Sequence, residues 1–422
     1  MSATDHYDRL ESRDPGAREA ALMAALPAQV AHAQVHTRAY AEVLAGVQAD
    51  RITSREALAR LPLTRKHELL QRRQARGDAD PFGGYAAIGW LGTGSGRGAG
   101  KVFQSPGPLY EPEGAASDYW RIARALHAAG FRAGDLVHNS FSYHLTPAGS
   151  MVENGALALG CTVFPGGVGQ VELQLQAMRD LKPHGYVGTP SFLKILLEKA
   201  EEAAGAALPL RRALVSGEAC PPALRDWFAA RGVTVYQFYA TAELGLIAYE
   251  TEAREGLVLD EQLIVEIVEP GGGTPLPAGE VGEVVVTTLN PDHPLIRFAT
   301  GDLSALLPGP CPTGRTNARL RGWLGRADQA AKVRGMFVHP AQVAELLKRH
   351  PEVGRARLVV SGALAQDHLL LRAEAAERDE ALAARLATTL RELTRLRGEV
   401  ELLPPGSLPG DGRLIEDARR YD

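Results

Sequence analysis

A short segment near the middle of the chain places an aromatic, a hydroxyl and a carboxylate side chain close together: Tyr239, Thr241 and Glu243. An aromatic ring offers a face on which a nucleobase stacks, a contact worth about 1–3 kcal/mol. A carboxylate is the hard oxygen ligand that Mg²⁺ accepts beside phosphates. The segment therefore predicts a nucleotide and metal site with Glu243 as the metal ligand, although alone it is equally typical of a strand end before a helix.

A second segment with suitable chemistry contains Asp302 in the string Thr300-Gly-Asp-Leu, and Arg326 follows it. A carboxylate accepts hydrogen bonds from both hydroxyls of a ribose, and an arginine suits a ribose or a phosphate. A lone Gly-Asp pair is usually a turn. Because Arg297 precedes this pair and Arg326 follows it, we favour nucleotide binding.

A glycine-rich segment, Gly92–Lys101, has Gly94, Ser95 and Gly96 at its centre. Backbone N–H groups, hydroxyls and a nearby cation suit a polyphosphate. The GxxxxGK[ST] order of a P-loop is absent. The segment predicts phosphate binding, with a flexible surface loop as an equal alternative.

Aromatic and imidazole side chains follow the predicted strand Asp135–His138; the candidates are His138, Phe141, Tyr143 and His144. Side chains at the carboxyl end of a parallel strand line the crevice in which ligands bind. With Gly166, which follows the next predicted strand, they form a candidate pocket for an aromatic acid. A polar surface turn is the alternative.

The elements that must position these residues follow an α/β pattern. Residues 1–80 predict helices, and between 85 and 255 β-branched runs alternate with Ala- and Leu-rich segments. This alternation predicts a largely parallel sheet covered by helices on both faces. The predicted strands are Asp135–His138, Cys161–Phe164, Gly185–Gly188, Arg212–Val215 and Val233–Tyr236.

The sequence pattern after residue 256 predicts a β-subdomain and then a small second domain. Within 257–305, a Pro-Gly-Gly-Gly string separates the β-branched runs Leu263–Val268 and Gly282–Thr288, which is a hairpin signal. Residues 327–422 predict a small α+β domain. We therefore expect an α/β fold with a large N-terminal domain, 1–326, that includes an antiparallel β-subdomain.

In order and separation these segments resemble the adenylate-forming, acyl-activating enzymes, most closely the phenylacetate–coenzyme A ligase branch. The resemblance covers about residues 85 to 410, and the strings that carry it are Leu181–Ser191, Tyr239–Glu243, Thr300–Leu303, Gly325–Asp328, Lys332–Gly335 and Gly406–Arg413. It implies ATP-dependent activation of a carboxylic acid to an acyl-adenylate, followed by transfer to coenzyme A. It also implies ATP or AMP, Mg²⁺ and coenzyme A as bound groups.

The resemblance assigns further residues. It places Gly217 and Glu218 beside the adenine and Lys332 at the catalytic entry into the C-terminal domain. It makes Asp328 the hinge about which a small mobile C-terminal domain turns between two half-reactions, a common use of domain closure.

Two departures from the family pattern bear on catalysis. The family pattern at the first site is Tyr-Gly-x-Thr/Ser-Glu. In this chain Ala240 stands at the glycine position and Ala242 at the Thr/Ser position, so the hydroxyl of Thr241 lies one residue earlier than the pattern requires. In the ending Gly-Ser-Leu-Pro-Arg-x-x-Gly-Lys, the chain is one residue shorter and has Arg413 where the lysine is expected. Arginine is a planar fork and lysine a compact charge. Since a group that stabilises developing negative charge is worth about 10²–10³ in rate, adenylation is expected to slow by that order unless Arg413 substitutes.

Bulk properties exclude several classes of protein. A length of 422 residues suggests two or three domains, and a net charge of −4 gives no basic footprint for nucleic acid. No run of about 18 apolar residues predicts a membrane helix, and the polar, acidic N-terminus argues against a secretory signal. Cys161, Cys220 and Cys311 are too far apart for a disulfide framework or zinc motif. We expect a cytoplasmic protein, with a homodimer as a guess.

Two alternatives to a coenzyme A ligase stay open. One is an adenylating enzyme of a secondary-metabolite pathway that hands its acyl-adenylate to an acceptor enzyme or carrier protein. The other is a degenerate nucleotide- or acyl-binding protein without turnover.

Overall fold

The computed structural model describes residues 6–76, 80–90, 98–105, 109–204, 208–270, 272–324, 326–327, 331–334, 336–338, 340–362 and 367–419. By its contacts the chain divides into two units, Met1–Gly325 and Arg326–Asp422. In the described part of the chain, no helix has the length and apolar character needed to cross a membrane.

The first unit begins with helices, as the sequence predicts. They are the 3₁₀ helices Arg9–Ser12 and Ala49–Arg51 and the α-helices α1 (Pro15–His36), α2 (Arg38–Val43), α3 (Arg55–Ala59) and α4 (Lys66–Arg76). Asp14 starts α1 because its carboxylate accepts the N–H of Ala17 at 2.8 Å. Leu22, Leu26 and Val30 recur every four residues and are buried on one face of α1.

The helical region also contributes a strand, which the sequence did not predict. Strand β1 (Thr64–Arg65) pairs in parallel with a strand from the distant β-subdomain, so that Thr64 lies opposite Phe298. The pairing holds the first residue of α4, Lys66, at a defined position. A two-residue strand has no detectable sequence period, which explains why it was missed.

A nine-stranded sheet forms the centre of the first unit. Its parallel part is β4 (Leu136–Asn139), β5 (Thr162–Pro165), β6 (Gly185–Gly188), β7 (Arg212–Val215) and β8 (Thr234–Thr241). Four antiparallel strands extend it: β9 (Gly245–Glu250), β10 (Leu257–Leu259), β14 (Leu306–Leu307) and β15 (Arg319–Leu320). The order is β14-β15-β10-β9-β8-β7-β6-β4-β5. The expected α/β fold is confirmed, but the sheet is mixed, because only the half from β5 to β8 is parallel.

Helices connect the parallel strands, as a parallel sheet requires. They are α6 (Ala148–Ala158), α7 (Val171–Leu181), α8 (Pro190–Ala204) and α9 (Pro222–Ala229), and α5 (Ile122–Ala128) precedes β4. From β4 the chain moves outward to β5 and then returns to β6 on the other side of β4. The carboxyl ends of β4 and β6 therefore flank a topological switch point, where open α/β sheets bind ligands.

Two smaller antiparallel systems complete the first unit. The expected pairing of Leu263–Val268 (β11) with Gly282–Thr288 (β12) is present, and β13 (Phe298–Ser304) joins them in a sheet of order β1-β13-β12-β11. A hairpin of β2 (Lys101–Ser105) and β3 (Leu109–Glu113) was not predicted. It matters because β3 carries two buried carboxylates.

The second unit is an α+β structure. Its strands and helices are β16 (Ala331–Val333), β17 (Met336–Val338), α10 (Pro340–Arg349), β18 (Val353–Ser361), β19 (His368–Ala375), α11 (Glu380–Thr394), β20 (Glu399–Leu403) and β21 (Ile415–Asp417). Strands β18 to β21 form a four-stranded sheet of order β20-β19-β18-β21, and β16 pairs with β17. A buried set of aliphatic side chains, including Leu346, Leu371 and Leu386, forms its own core.

Candidate nucleotide and cation site

The segment from Tyr239 to Glu243 lies at the end of β8 and in the turn that leads into β9. The turn is followed by a strand, so the alternative of a strand end before a helix is wrong. Gly245 closes the turn with φ +70°, and a Cβ there would lie 2.8 Å from the carbonyl oxygen of Trp120. Thr241 Oγ1 accepts the N–H of Leu244 at 3.2 Å. This tight turn fixes Glu243 at the tip of a rigid hairpin.

Glu243 forms an ion pair with Lys66, the first residue of α4. Its Oε1 lies 2.6 Å from Lys66 Nζ, and the glutamate side chain is 4% exposed whereas the lysine side chain is 42% exposed. Burial opposes ionisation of Glu243, but Lys66 and Thr241 together hold the pKa of this carboxyl below its ordinary value. Glu243 is therefore an anion at neutral pH, as a metal ligand must be.

A second buried carboxylate, that of Glu111 on β3, belongs to the same electrostatic group. Ser105 Oγ donates to Glu111 Oε1 at 2.7 Å and lies 3.4 Å from Lys66 Nζ. Burial and the negative charge of Glu243 raise the pKa of Glu111, while Lys66 lowers it. The sequence analysis missed both Lys66 and Glu111. The available signal was the alternation of Glu111 and Glu113 with other residues on a short β run.

These residues fit a divalent cation. Among the described residues no three His, Cys, Asp or Glu side chains come together in a way that could hold a metal. Mg²⁺ at nucleotide sites needs fewer protein ligands, because one or two carboxylates act with phosphate oxygens and water. The buried oxygen Oε2 of Glu111 has no hydrogen-bond partner in the described part of the chain, and it can act as a metal ligand when this carboxyl, whose pKa is raised to about 8, loses its proton.

Tyr239 and Asp302 come from different sheets and meet through a hydrogen bond. The hydroxyl of Tyr239 on β8 donates to Asp302 Oδ2 on β13 at 2.7 Å. Trp323 Nε1 donates to the other oxygen, Oδ1, at 3.0 Å. The buried carboxylate is thus oriented from both sides. An aromatic side chain and a fixed carboxylate at this spacing match the base and ribose of a nucleotide.

Arg297, which the sequence analysis grouped with the nucleotide motif, is a buried structural residue. Its guanidinium is bidentate with Glu266 at 3.0 and 3.1 Å. It also donates to the carbonyl oxygens of Ala59, Leu61 and Gly273. Arg297 therefore ties the N-terminal helices to the β-subdomain that carries Asp302.

The loops after β6 and β7 place Gly217 and Glu218 beside another predicted segment. Gly217 has φ +82°, a conformation that favours glycine. Glu218 Oε2 accepts the N–H of Ser191, at the start of α8, at 3.4 Å. Two strand ends are thus linked at the edge of the sheet where ligands are expected.

His138 lies in a closed polar cluster at the end of β4. Gln174 Oε1 is 2.8 Å from both His138 Nε2 and Ser140 Oγ. Burial lowers the pKa of His138, so the neutral ring donates to Gln174. A Cβ on Gly166 would lie 2.8 Å from Gln174 Oε1 and 2.9 Å from His138 Nε2. Gly166 therefore leaves the room that this cluster needs.

The aromatic candidates after β4 differ in burial. Phe141 is buried and packs edge-to-face on Phe238 of β8, with ring centroids 6.1 Å apart. Tyr143 is half-buried, and its hydroxyl accepts from Asn139 Nδ2 at 2.8 Å. His144 is exposed. The contact between Phe141 and Phe238 links the predicted acyl pocket to the strand of Tyr239.

Several predicted residues lie elsewhere. Gly94, Ser95, Gly96 and Asp328 lie outside the described residues, and for Lys332 only the backbone, in β16, is described. Arg326 is half-buried and belongs to the second unit. Arg413 is exposed there, and its N–H donates to Asp411 Oδ1 at 3.1 Å. Its guanidinium has no hydrogen bond or ion pair to the described residues of its unit, so it is available to a ligand.

The chain resembles known proteins of one family. The family model of the AMP-binding enzymes matches residues 117–290. The chain is 32% identical over 332 residues to a phenylacetate–coenzyme A ligase of Thermus thermophilus, covering 71% of this chain and 75% of that protein. A second phenylacetate–coenzyme A ligase, from Aromatoleum evansii, is 33% identical over 323 residues, with coverage of 73% and 70%.

A solved structure extends the match to almost the whole chain. The crystal structure of 2-hydroxyisobutyryl-CoA ligase with 2-HIB-AMP and CoA, in the thioesterification state, has a TM-score of 0.82 and 27% identity. It covers 98% of this chain and 92% of that chain. The resemblance inferred from the motifs is confirmed. The chain belongs to the phenylacetate–coenzyme A ligase family of AMP-binding enzymes.

Proposed function

We propose that this protein uses ATP to activate a carboxylic acid as an acyl-adenylate and then transfers the acyl group to coenzyme A. The observation that carries the proposal is the hydrogen bond between Tyr239 on β8 and Asp302 on β13, because the turn that follows β8 holds Glu243. The candidate residues for the base and the metal thus lie on one hairpin, and the candidate residue for the ribose lies on a strand hydrogen-bonded to it through Tyr239. The relatives that share this scaffold are ligases of the same type.

Each residue has a defined task in this scheme. The ring of Tyr239 stacks on the adenine, and Asp302 accepts the ribose hydroxyls. Glu243, with its buried anionic carboxylate, is the ligand for Mg²⁺, which when bound supplies positive charge beside the phosphate oxygens. Thr241 supports the turn that carries Glu243, since its hydroxyl accepts the N–H of Leu244, and it helps to lower the pKa of Glu243.

The proposed reaction has two chemical steps. A carboxylate oxygen of the acid attacks the α-phosphorus of ATP, the bond to the β-phosphate oxygen breaks, and pyrophosphate leaves. The thiolate of coenzyme A then attacks the acyl carbon and AMP leaves. Positioning and charge neutralisation supply most of the catalysis in such transfers. Arg413 is the candidate cation for the first step because its guanidinium has no protein partner in the described part of its unit.

We propose an aromatic acid as the substrate. Phe141 and Tyr143 follow β4 at the switch point, and Phe141 packs on the strand of Tyr239. The curated relatives are named for phenylacetate. The enclosed cluster of His138, Gln174 and Gly166 lies at the ends of the neighbouring strands β4 and β5.

The test is carboxylate-dependent exchange of pyrophosphate into ATP with a panel of aryl and arylacetic acids. Wild-type protein should catalyse exchange with at least one acid, and Glu243→Ala should lose it. Thioester formation after addition of coenzyme A distinguishes the ligase from an enzyme that hands its adenylate to another acceptor. AMP binding without exchange for any acid would overturn the proposed function.

A further inference from the structure

The cation site around Glu243 has a second buried carboxyl group beside it, that of Glu111. Lys66 Nζ lies 2.6 Å from Glu243 Oε1 and 3.4 Å from Ser105 Oγ, and this hydroxyl donates to Glu111 Oε1 at 2.7 Å. Burial and the negative charge of Glu243 raise the pKa of Glu111 to about 8, so its carboxyl is mostly protonated at neutral pH. A second positive charge close to this carboxyl would favour its ionised form.

The geometry of Glu111 shows where that charge is needed. Its Oε1 accepts from Ser105 Oγ at 2.7 Å. Its Oε2 is buried and has no hydrogen-bond partner among the residues described in the structure. The residue as a whole is 1% exposed. The described residues thus leave one oxygen of this carboxyl group without a partner.

Glu113, two residues along the same strand, gives the internal comparison. It is also buried, but both of its oxygens are satisfied. Lys101 Nζ lies 3.1 Å from Oε1, while Trp120 Nε1 and Ser150 Oγ donate to Oε2 at 2.5 and 2.9 Å. Its role is accounted for by these contacts. Glu111 and Glu113 lie on the same face of β3 and are both buried. They differ in that Glu111 Oε2 has no hydrogen-bond partner among the described residues.

We propose that Glu111 and Glu243 together form a two-carboxylate site for a divalent cation, and that the ammonium of Lys66 occupies it until the ion arrives. The lysine is suited to this exchange because its side chain is 42% exposed and can move into solvent, whereas both carboxylates are held inside. Ser105, which contacts both Lys66 and Glu111, joins the two halves of the site. This inference rests on the proposed function, because the assignment of Glu243 as a metal ligand comes from it.

Direct titration of Mn²⁺ tests the proposal without relying on catalysis. Free Mn²⁺ is followed by its electron paramagnetic resonance signal in nucleotide-free protein at pH 8. Lys66→Met removes the resident cation and should bind Mn²⁺ about 10-fold more tightly than wild type. Adding Glu111→Gln to that variant should weaken binding by about 10-fold or more, the usual effect of losing a supporting ligand.

The matched control is Glu113→Gln in the same Lys66→Met background, which should leave the Mn²⁺ affinity unchanged. Circular dichroism and thermal unfolding check the fold of each variant, and Lys66→Gln replaces Lys66→Met if the latter does not fold. The proposal is overturned if removal of the lysine does not tighten Mn²⁺ binding. Equal affinities with and without Glu111→Gln would also overturn it.

Failure of this inference is separable from failure of the proposed function. If Mn²⁺ binding depends on Glu111 but wild type shows no acid-dependent pyrophosphate exchange, the cation site stands and the ligase assignment falls. If exchange occurs and Glu111→Gln has no effect on Mn²⁺ affinity, Glu243 acts without a second carboxylate.

Discussion

Tyr239 and Asp302 are 63 residues apart in sequence and are joined by a 2.7 Å hydrogen bond between the phenol and Oδ2. The bond connects the nine-stranded sheet to the four-stranded sheet, so the position of the ribose acceptor depends on how these sheets pack. Trp323 holds the other carboxylate oxygen. A nucleotide must therefore share or replace donors that already orient Asp302.

Asp302→Asn should lower AMP affinity by about 10- to 100-fold. A hydrogen bond to a charged group contributes about 1.5–3 kcal/mol, and each 1.4 kcal/mol is tenfold in affinity. Tyr239→Phe keeps the ring and loses the hydroxyl, so about fivefold is expected. Isothermal titration with AMP measures both. Asp226→Asn, on an exposed part of α9, is the control, and an Asp302 variant that binds AMP like this control would contradict the ribose role.

Arg413→Ala should slow adenylate formation by about 10²-fold, because the arginine is the candidate to offset negative charge on the phosphate. The measurement is pyrophosphate exchange at saturating ATP with the best acid. Arg397→Ala removes an exposed arginine of the same unit and should leave the rate unchanged. Equal rates for the two variants would mean that another cation does the work of the missing lysine.

Arg297→Met should lower the unfolding free energy of the first unit by about 3–5 kcal/mol, because it leaves Glu266 as a buried, unpaired charge. Arg297→Lys should also destabilise, since an ammonium cannot reproduce the bidentate fork. Urea unfolding followed by tryptophan fluorescence reports on this unit, which contains all four tryptophans. The exposed pair of Lys199 and Glu202 supplies the control: Lys199→Ala should change stability by under about 1 kcal/mol.

Asp118 should make stability depend on pH in the mildly acidic range. Burial raises its pKa from 3.8 to about 6, so the folded protein binds this proton more tightly than the unfolded chain. The contribution is present below pH 3.8 and is lost as pH rises through 6, with a slope of at most about 1.4 kcal/mol per pH unit. Asp118→Asn should remove this slope. Parallel curves for the two proteins between pH 4 and 6.5, measured by urea unfolding, would refute the prediction.

Local sequence patterns were sufficient for much of the sheet. The bounds of β6, β7, β11 and β12 agree with the predicted strands, because β-branched runs end there at glycine, proline or polar residues. Strand β8 was predicted as Val233–Tyr236 and continues to Thr241, since its second half pairs with β9 on the opposite edge from β7. A local sequence pattern does not show which strand will pair with a segment, so it does not predict where such a strand ends.

The site was less predictable than the fold for the same reason. Motif spacing predicted Tyr239, Glu243 and Asp302, because an aromatic ring and two carboxylates are the residue types that bind a base, a metal ion and a ribose. The contacts of Lys66 with Glu243 and Ser105 depend on packing between segments with no shared period. Arg297 was misassigned because its neighbours in sequence are nucleotide-binding candidates, whereas its partner in space is Glu266.

Strand β1 has a consequence for the order in which the protein folds. Thr64 Oγ1 donates to the carbonyl of Ile296, 232 residues later, and Lys66 follows directly on this pairing. Contacts of such long range close large loops and form slowly. During synthesis this contact forms only after residue 296 has been added to the chain. The position of the ammonium that neutralises Glu243 therefore depends on a pairing between distant parts of the first unit and not on its local sequence.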